Sequence, residues 1–459
     1  TASNNTAIGH EALTANTTGS ENTAVGLSAL AANTTAASNS AFGFKSLFTN
    51  TTGIQNTGLG ESALRANTTA SNNTAVGFSA LTANTTGSEN IAIGVNALQG
   101  NTTGSFNVAM GFNAMSTSSA GPIRNVAIGY ASMQSITNAG YNTGIGMYSL
   151  NAVTTGANNT AIGYEAMANN TTGADNNAYG SGSLDNLTTG GDNNAFGRGS
   201  LGAITTGGAN CAFGHGAVDA VVSGSGNTGM GQNVLTNCTG SNNTAVGYQA
   251  GFNTTSPAQN VFMGYQAGYD NTTGQYNVCI GPNQAGNGLS TGSFNIYMGY
   301  LSRASAGGVG GELVLATGNS TQTGKGDNTG FISASNGVYQ GNNSSSWSTT
   351  SDRRIKKNIE DNTTGLDAIN QIRVRNFEYR TEDEITEVPT HAAINKEGVQ
   401  LGVIAQEIET ILPDVVREES TGVKTVNPDN LTWYLINAVQ ELSTTVDELK
   451  AEIQTLKGE

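Results

Sequence analysis

A large apolar residue returns every 17 positions through the first 300 residues: Ile8, Val25, Phe42, Leu59, Val76, Ile93 and Met110, then later Phe196, Phe213, Val246 and Ile280. Each lies three residues after an Asn and directly before a Gly, as in Asn5 to Gly9, Asn73 to Gly77, Asn159 to Gly163 and Asn243 to Gly247. Eighteen such copies run to Asn295 to Gly299. A second apolar position follows in most copies: Leu13, Leu30, Leu47, Leu64, Leu81, Leu98 and Met115. The two positions are read as inward-pointing residues on facing sides of one coil. A unit of this length holds two short strands and two turns. NTTG or a variant, at Asn16, Asn33, Asn50, Asn67, Asn84 and Asn101, reads as one of the turns, because Asn and Gly tolerate positive φ.

One such coil has almost no core, so it must stack on copies of itself. The expected fold is therefore mainly β: a parallel β-solenoid or β-roll shaft over residues 1–306, roughly 85 Å long at about 4.8 Å per coil. An Asn at the same place in every coil predicts a ladder of side-chain hydrogen bonds that holds register. The fixed apolar slot argues against disorder, which so polar and Gly-rich a segment would otherwise suggest. From residue 307 to 350 the period fades into short alternating stretches such as Leu313 to Leu315 and Gly330 to Ile332, read as a β-rich neck.

At Ser351 the pattern changes to helical spacing, with more charge and with Pro389, Pro413 and Pro428. Residues 351–459 are read as a small α+β domain. Leu366, Ile369 and Ile372 fit a short helix, Arg373 to Arg380 a strand, and Gly402 to Val416 a strand and helix stopped at Pro413. Leu435, Val439, Leu442, Val446, Leu449, Ile453 and Leu456 are spaced alternately four and three apart, a heptad seam that predicts a self-associating coiled coil over 430–457. In isolation that choice of core residues favours two parallel strands.

Charge narrows the function. Only Lys45, Arg65, Arg124 and Arg198 are basic up to residue 300, and the chain carries a net charge of -15, so phosphate neutralisation on nucleic acid is excluded. No apolar run approaches the roughly 20 residues of a membrane span, so no membrane insertion is expected. The opening Thr-Ala-Ser-Asn lacks a signal core, and an anchoring region is expected to precede it. Cys211, Cys238 and Cys279 sit at different places in their repeats and are read as free thiols. His10, His215 and His391 are far apart, so neither metal nor cofactor is expected. The ten acidic residues up to position 300 form no pair suited to glycoside hydrolysis, which speaks against a polysaccharide-degrading spike. Tyr164, Tyr248, Tyr265 and Tyr300 are candidates for a host glycan, for capping the shaft surface or for packing between chains.

Two resemblances sharpen this picture. The Asn-x-x-ϕ-Gly repeats resemble the head repeats of trimeric autotransporter adhesins, which implies a trimeric, extracellular, adhesive shaft. The stretches SDRRIKKNIEDNTTGLDAINQIRVRNFEYR from Ser351 and LGVIAQEIETILPDVV from Leu401, with the closing helix, resemble the C-terminal intramolecular chaperone of phage endosialidases and tail fibres. Membrane-bound myelin regulatory factors carry a similar domain. That resemblance implies a Ser351 nucleophile, a Lys356 general base, supporting roles for Asp352 and Arg354, and one self-cleavage at Thr350-Ser351 with no further substrate. Five residues apart is wrong for one helical face, so Ser351 and Lys356 must meet through a turn or bent strand. His391 fits a third catalytic group or an ordinary loop residue. Both resemblances imply a homotrimer, against the two-stranded preference of the heptads. The expected protein is a viral, phage-like tail or receptor-binding fibre on the virion surface, attaching to a host glycan or protein. A cellular surface adhesin or extracellular filament is the alternative.

Overall fold

The computed structural model describes residues 2–118, 121–256, 258–317, 321–333, 338–340, 351–387, 397–418 and 423–458. The chain divides into two compact units, Thr1–Thr349 and Thr350–Glu459.

The first unit is a parallel β-solenoid. Three-residue strands β1 (Thr6–Ile8) to β18 (Ile296–Met298) recur once per repeat, and each pairs in parallel register with the next, as Thr6 with Thr23, Ala7 with Ala24 and Ile8 with Val25. The ladder does not stop at residue 306. After the short β19 (Ser302–Arg303), β20 (Leu313–Ala316) pairs in parallel with β18 in the same register. The short β21 (Gln322–Thr323) pairs with β19, and β22 (Gly330–Ser333) pairs in parallel with β20. β23 (Val338–Gln340) closes the sheet antiparallel to β22. Two further rungs thus lie in the segment read as a neck. Leu313 and Gly330 fall 17 residues apart, and the strand spacing survives although the Asn-to-Gly signature does not.

The inward residue is not the one expected. Within each three-residue strand alternate side chains face opposite sides, and the central residue faces in: Ala24, Ala41, Ala75 and Ala92 are fully buried. The large apolar slot faces out, with Ile8 60%, Leu59 48% and Phe213 51% exposed. Volume explains the inversion. In the early coils the interior is filled by Leu30, Leu47 and Leu64 from the facing segment, leaving room for little more than a methyl group from the strand, whereas Phe262 and Tyr297 take the inner place where the facing segment supplies Gly251, Gly268 and Gly286. At Gly144, even an added Cβ would come within 2.9 Å of Ser132 Oγ and 3.0 Å of Met133 Cε.

The inward Leu residues hold left-handed backbone, φ 50° at Leu30 and 51° at Leu47. A β-branched residue is strained there, which suits the Leu and Met dominating this position. The Gly after each slot is required twice over. Gly26 has φ 135°, and a Cβ on it would lie 2.6 Å from the carbonyl oxygen of Gly43 in the next coil. In the NTTG segments, by contrast, Asn16, Gly19, Asn50 and Gly53 do not take positive φ. Gly19 is there for space, since a Cβ would meet Ala36 O at 2.2 Å and Asn16 Oδ1 at 2.5 Å.

Two Asn ladders run inside the solenoid. In the expected one, the backbone N–H of Asn39 donates to Asn22 Oδ1 at 3.0 Å, and Asn39 Nδ2 donates to the Gly53 carbonyl at 2.9 Å. The second lies in the NTTG segments, where Asn67 Nδ2 donates to Asn50 Oδ1 at 2.8 Å and to Ala70 O at 2.9 Å. Both sets are buried, so each bond forms away from competing water.

The second unit is small. α1 (Leu366–Gln371) packs on the long α3 (Pro428–Leu456). β24 (Arg375–Phe377) pairs antiparallel with β25 (Gln400–Gly402), which leads through Val403 and Ile404 into α2 (Ala405–Glu409). β26 (Val416–Glu418) pairs antiparallel with β27 (Lys424–Val426). The buried core is Ile408, Leu412 and Val415, with Leu431 and Tyr434 of α3 against it. Asn427 caps α3 by accepting from the N–H groups of Asp429 and Asn430, with Pro428 at the first helical position. Among the described residues no helix is long and apolar enough to cross a membrane.

Candidate functional site

Ser351 and Lys356 meet through one tight turn. Asp352 caps a single 3-10 turn, Arg353–Ile355, by accepting from the backbone N–H of Arg354 at 2.8 Å. The chain leaves that turn in extended backbone at Lys356, and Lys356 Nζ then donates to Ser351 Oγ at 2.8 Å. Asp352 and Arg354 also form a forked ion pair, with Arg354 Nε 3.0 Å from Asp352 Oδ2. The guanidinium of Arg354 holds the Asp352 carboxyl below the usual carboxylate range. Thus Asp352 and Arg354 brace the turn, and the turn brings Ser351 and Lys356 together.

The chemistry open to this pair depends on its surroundings. A lysine accepts a serine proton only as the neutral amine, a form favoured in a dry site. Both side chains are exposed within the single chain. Ile355 and Ile359, on either side of Lys356 in the chain, are exposed as well. Thr350 and His391 lie outside the described residues.

Downstream of the turn, residues 362–366 are tied to α3 by a clasp that the sequence pattern does not predict. Asn437 Nδ2 donates to Asn362 O at 3.0 Å and to Thr364 O at 3.1 Å, and Glu441 Oε2 accepts from the Leu366 N–H at 2.7 Å. Gly365 lies beneath, where a Cβ would meet Glu441 Oε1 at 2.4 Å and Ala438 N at 3.0 Å. The Asn-Thr-Thr-Gly run at Asn362 was the one available signal, and it reads as one more turn. Arg375 Nη2 and Glu407 Oε1, 2.8 Å apart, tie β24 to α2, and the Arg375 guanidinium holds the Glu407 carboxyl low.

Leu435, Val439, Leu442, Val446, Leu449, Ile453 and Leu456 are all exposed along α3. Ala438, on another side of the helix, is buried. The shaft tyrosines Tyr164, Tyr248 and Tyr265 are exposed, and Tyr248 stacks on Tyr265 with centroids 5.6 Å apart. The three cysteines are free, and burial pushes the Cys238 thiol up to about 11.

Residues 351–417 match the family model described as the chaperone of endosialidase. A relative from Dictyostelium discoideum, described as myelin gene regulatory factor-like A, is 29% identical over 145 residues, covering 28% of this chain and 14% of that protein's length. No solved structure matches the chain.

Proposed function

We propose that this chain, a parallel β-solenoid followed by an endosialidase-type chaperone domain, works as a homotrimeric phage-like tail or receptor-binding fibre whose C-terminal unit assembles the trimer and then cuts itself free. The observation that carries the reading is the 2.8 Å contact from Lys356 Nζ to Ser351 Oγ inside the segment matching that chaperone family.

In this reading Lys356 takes the hydroxyl proton as Ser351 Oγ attacks the carbonyl carbon of Thr350. The Thr350-Ser351 amide breaks as an ester forms, the Ser351 nitrogen gains the proton, and water hydrolyses the ester. The products are a shaft ending in a Thr350 carboxylate and a released domain beginning at Ser351. The exposed dyad supports a dependence on assembly, since neighbouring copies would dry the site and favour the amine. Few apolar groups are buried in the second unit while the seam of α3 is open, which supports association as its normal state. Release would trap the shaft kinetically, because refolding would lack its guide.

Intact-mass analysis of the expressed chain beside Ser351→Ala and Lys356→Ala tests this. Wild type should yield a fragment starting at Ser351, and both variants should stay whole. A wild-type trimer that remains uncut would reduce the unit to a permanent trimerisation cap. Similarity to a protein of a cellular organism, Dictyostelium discoideum, supports a cellular origin as a second reading, with the chain a surface adhesin or extracellular filament using the same chaperone.

A further inference from the structure

The inverted slot leaves one side of every strand uncovered. Counting β1 to β18, β20 and β22, twenty slot residues stand in a single outward column from Ile8 to Ile332. None is charged, and Tyr179 alone carries a polar group. Two columns flank it. The first residue of each strand lies on the same side, as Thr23, Ile91, Val108, Val261 and Ile296 do, also without charge. The residue after the Gly is exposed and apolar at Leu27, Phe78 and Tyr164 yet charged at Glu61 and Arg198. Charge is thus tolerated only at one edge of the strip, the arrangement of a desolvated interface core with a wet rim.

We propose that this strip is where the shaft packs against two further copies of itself, parallel and in register, with the slot column nearest the shared axis. The inference rests on the trimer reading and adds the face that makes it. Length selects the occupant. The strip repeats at about 4.8 Å per rung over twenty rungs, and another copy of the chain has that same rise and length. A strip about 10 Å wide would bury roughly 950 Å² per chain, shared between its two neighbours, so roughly 2,900 Å² leaves water when three chains meet, a burial on the scale of a permanent assembly. The exposed heptad seam of α3 belongs to the same chain and favours parallel alignment of copies.

Cross-linking of the full chain tests it, in a Cys211→Ser background because Cys211 lies in the flanking column, while Cys238 and Cys279 are buried. Met230→Cys places a thiol in the slot column, and Thr206→Cys places one on an exposed turn. With a short bis-maleimide, Met230→Cys should give chain-to-chain adducts on a denaturing gel, at least ten times the yield from Thr206→Cys. Equal yields, or none from Met230→Cys, in a preparation that light scattering shows to be trimeric would overturn the face and leave the trimer standing. A monomer by light scattering would sink both.

Discussion

Asn142 Oδ1 accepts two hydrogen bonds from Asn159, from its backbone N–H at 2.9 Å and its Nδ2 at 3.1 Å. Asn142 Nδ2 in turn donates to Gly156 O at 2.9 Å. Each ladder Asn therefore serves as both acceptor and donor between coils, out of reach of water. Asn142→Ala should cost about 1–3 kcal/mol by leaving buried groups unpaired. Asn142→Asp should cost more, since an oxygen then faces the Gly156 carbonyl. Because solenoid stability is shared between neighbours, the check is amide exchange resolved by coil. Loss of protection should centre on the coils of Asn142 and Asn159, and uniform protection across the shaft would show the ladder to be dispensable.

Two glycines two coils apart should respond in opposite ways. Gly146 has φ 135°, and its Cβ would lie 2.3 Å from the Gly163 carbonyl oxygen, so Gly146→Ala should destabilise by at least about 2 kcal/mol. Gly182 has φ 63° with nothing within 4 Å of a Cβ. Other coils place Glu11, Lys45 and Glu165 at that position with similar φ. Gly182→Asn should stay within about 0.5 kcal/mol of wild type. Thermal melts of the two variants decide the point, and a tolerated Gly146→Ala would mean that the rungs can separate locally.

The period of 17 made the solenoid legible, since the Asn-to-Gly spacing alone implies stacked coils with an inner Asn ladder. Which way the slot pointed was not legible. In a three-residue strand the large residues mark one face, whichever face is buried, and the buried Ala24 and Ala41 leave only a weak apolar signal. The inner volume already claimed by Leu30 decides the question, and that volume exists only after coiling. The last two rungs were hidden because Glu312 replaces the ladder Asn and Thr329 follows it. At the site, the motif placed Ser351 and Lys356 together, but the clasp from Asn437 to Asn362 spans 75 residues and no local pattern points to it.

Glu312 shows what the substitution does. Its backbone N–H keeps the ladder bond to Asn295 Oδ1 at 2.8 Å, while its buried carboxylate accepts from Tyr297 Oη at 2.7 Å, Ser305 N at 3.1 Å and Gly326 N at 2.8 Å. Burial first, and then the bond to Glu312, push the Tyr297 phenol well above its usual range. For an acid whose folded pKa is raised, the stabilising contribution is complete below the unfolded value, about 10, and is lost as pH rises beyond it. The last rungs should therefore loosen above about pH 10, and Tyr297→Phe should flatten that alkaline response. Glu312→Ala should remove about 3 kcal/mol from the same region by stranding three donors. Limited proteolysis across pH, followed at the coils after Met298, measures both effects, and an unchanged alkaline response in Tyr297→Phe would place the titrating group elsewhere.

The clasp on α3 is the first tie between the chain after Lys356 and the helix that bears the heptad seam. Asn437 and Glu441 lie among Leu435, Val439 and Leu442, so any movement of α3 on association reaches residues 362–366 directly. If the clasp positions the dyad, Asn437→Ala and Glu441→Ala should leave trimers intact by light scattering while slowing self-cleavage about tenfold, with Leu366 losing amide protection. Gly365→Ala should do the same by pushing Glu441 away, given the 2.4 Å approach. Glu441→Gln keeps an acceptor for the Leu366 N–H and should restore most of the rate, a rescue that a general loss of stability would not produce. Wild-type cleavage rates in all three alanine variants, with Leu366 exposed, would show that the turn bracing Ser351 and Lys356 acts without the helix.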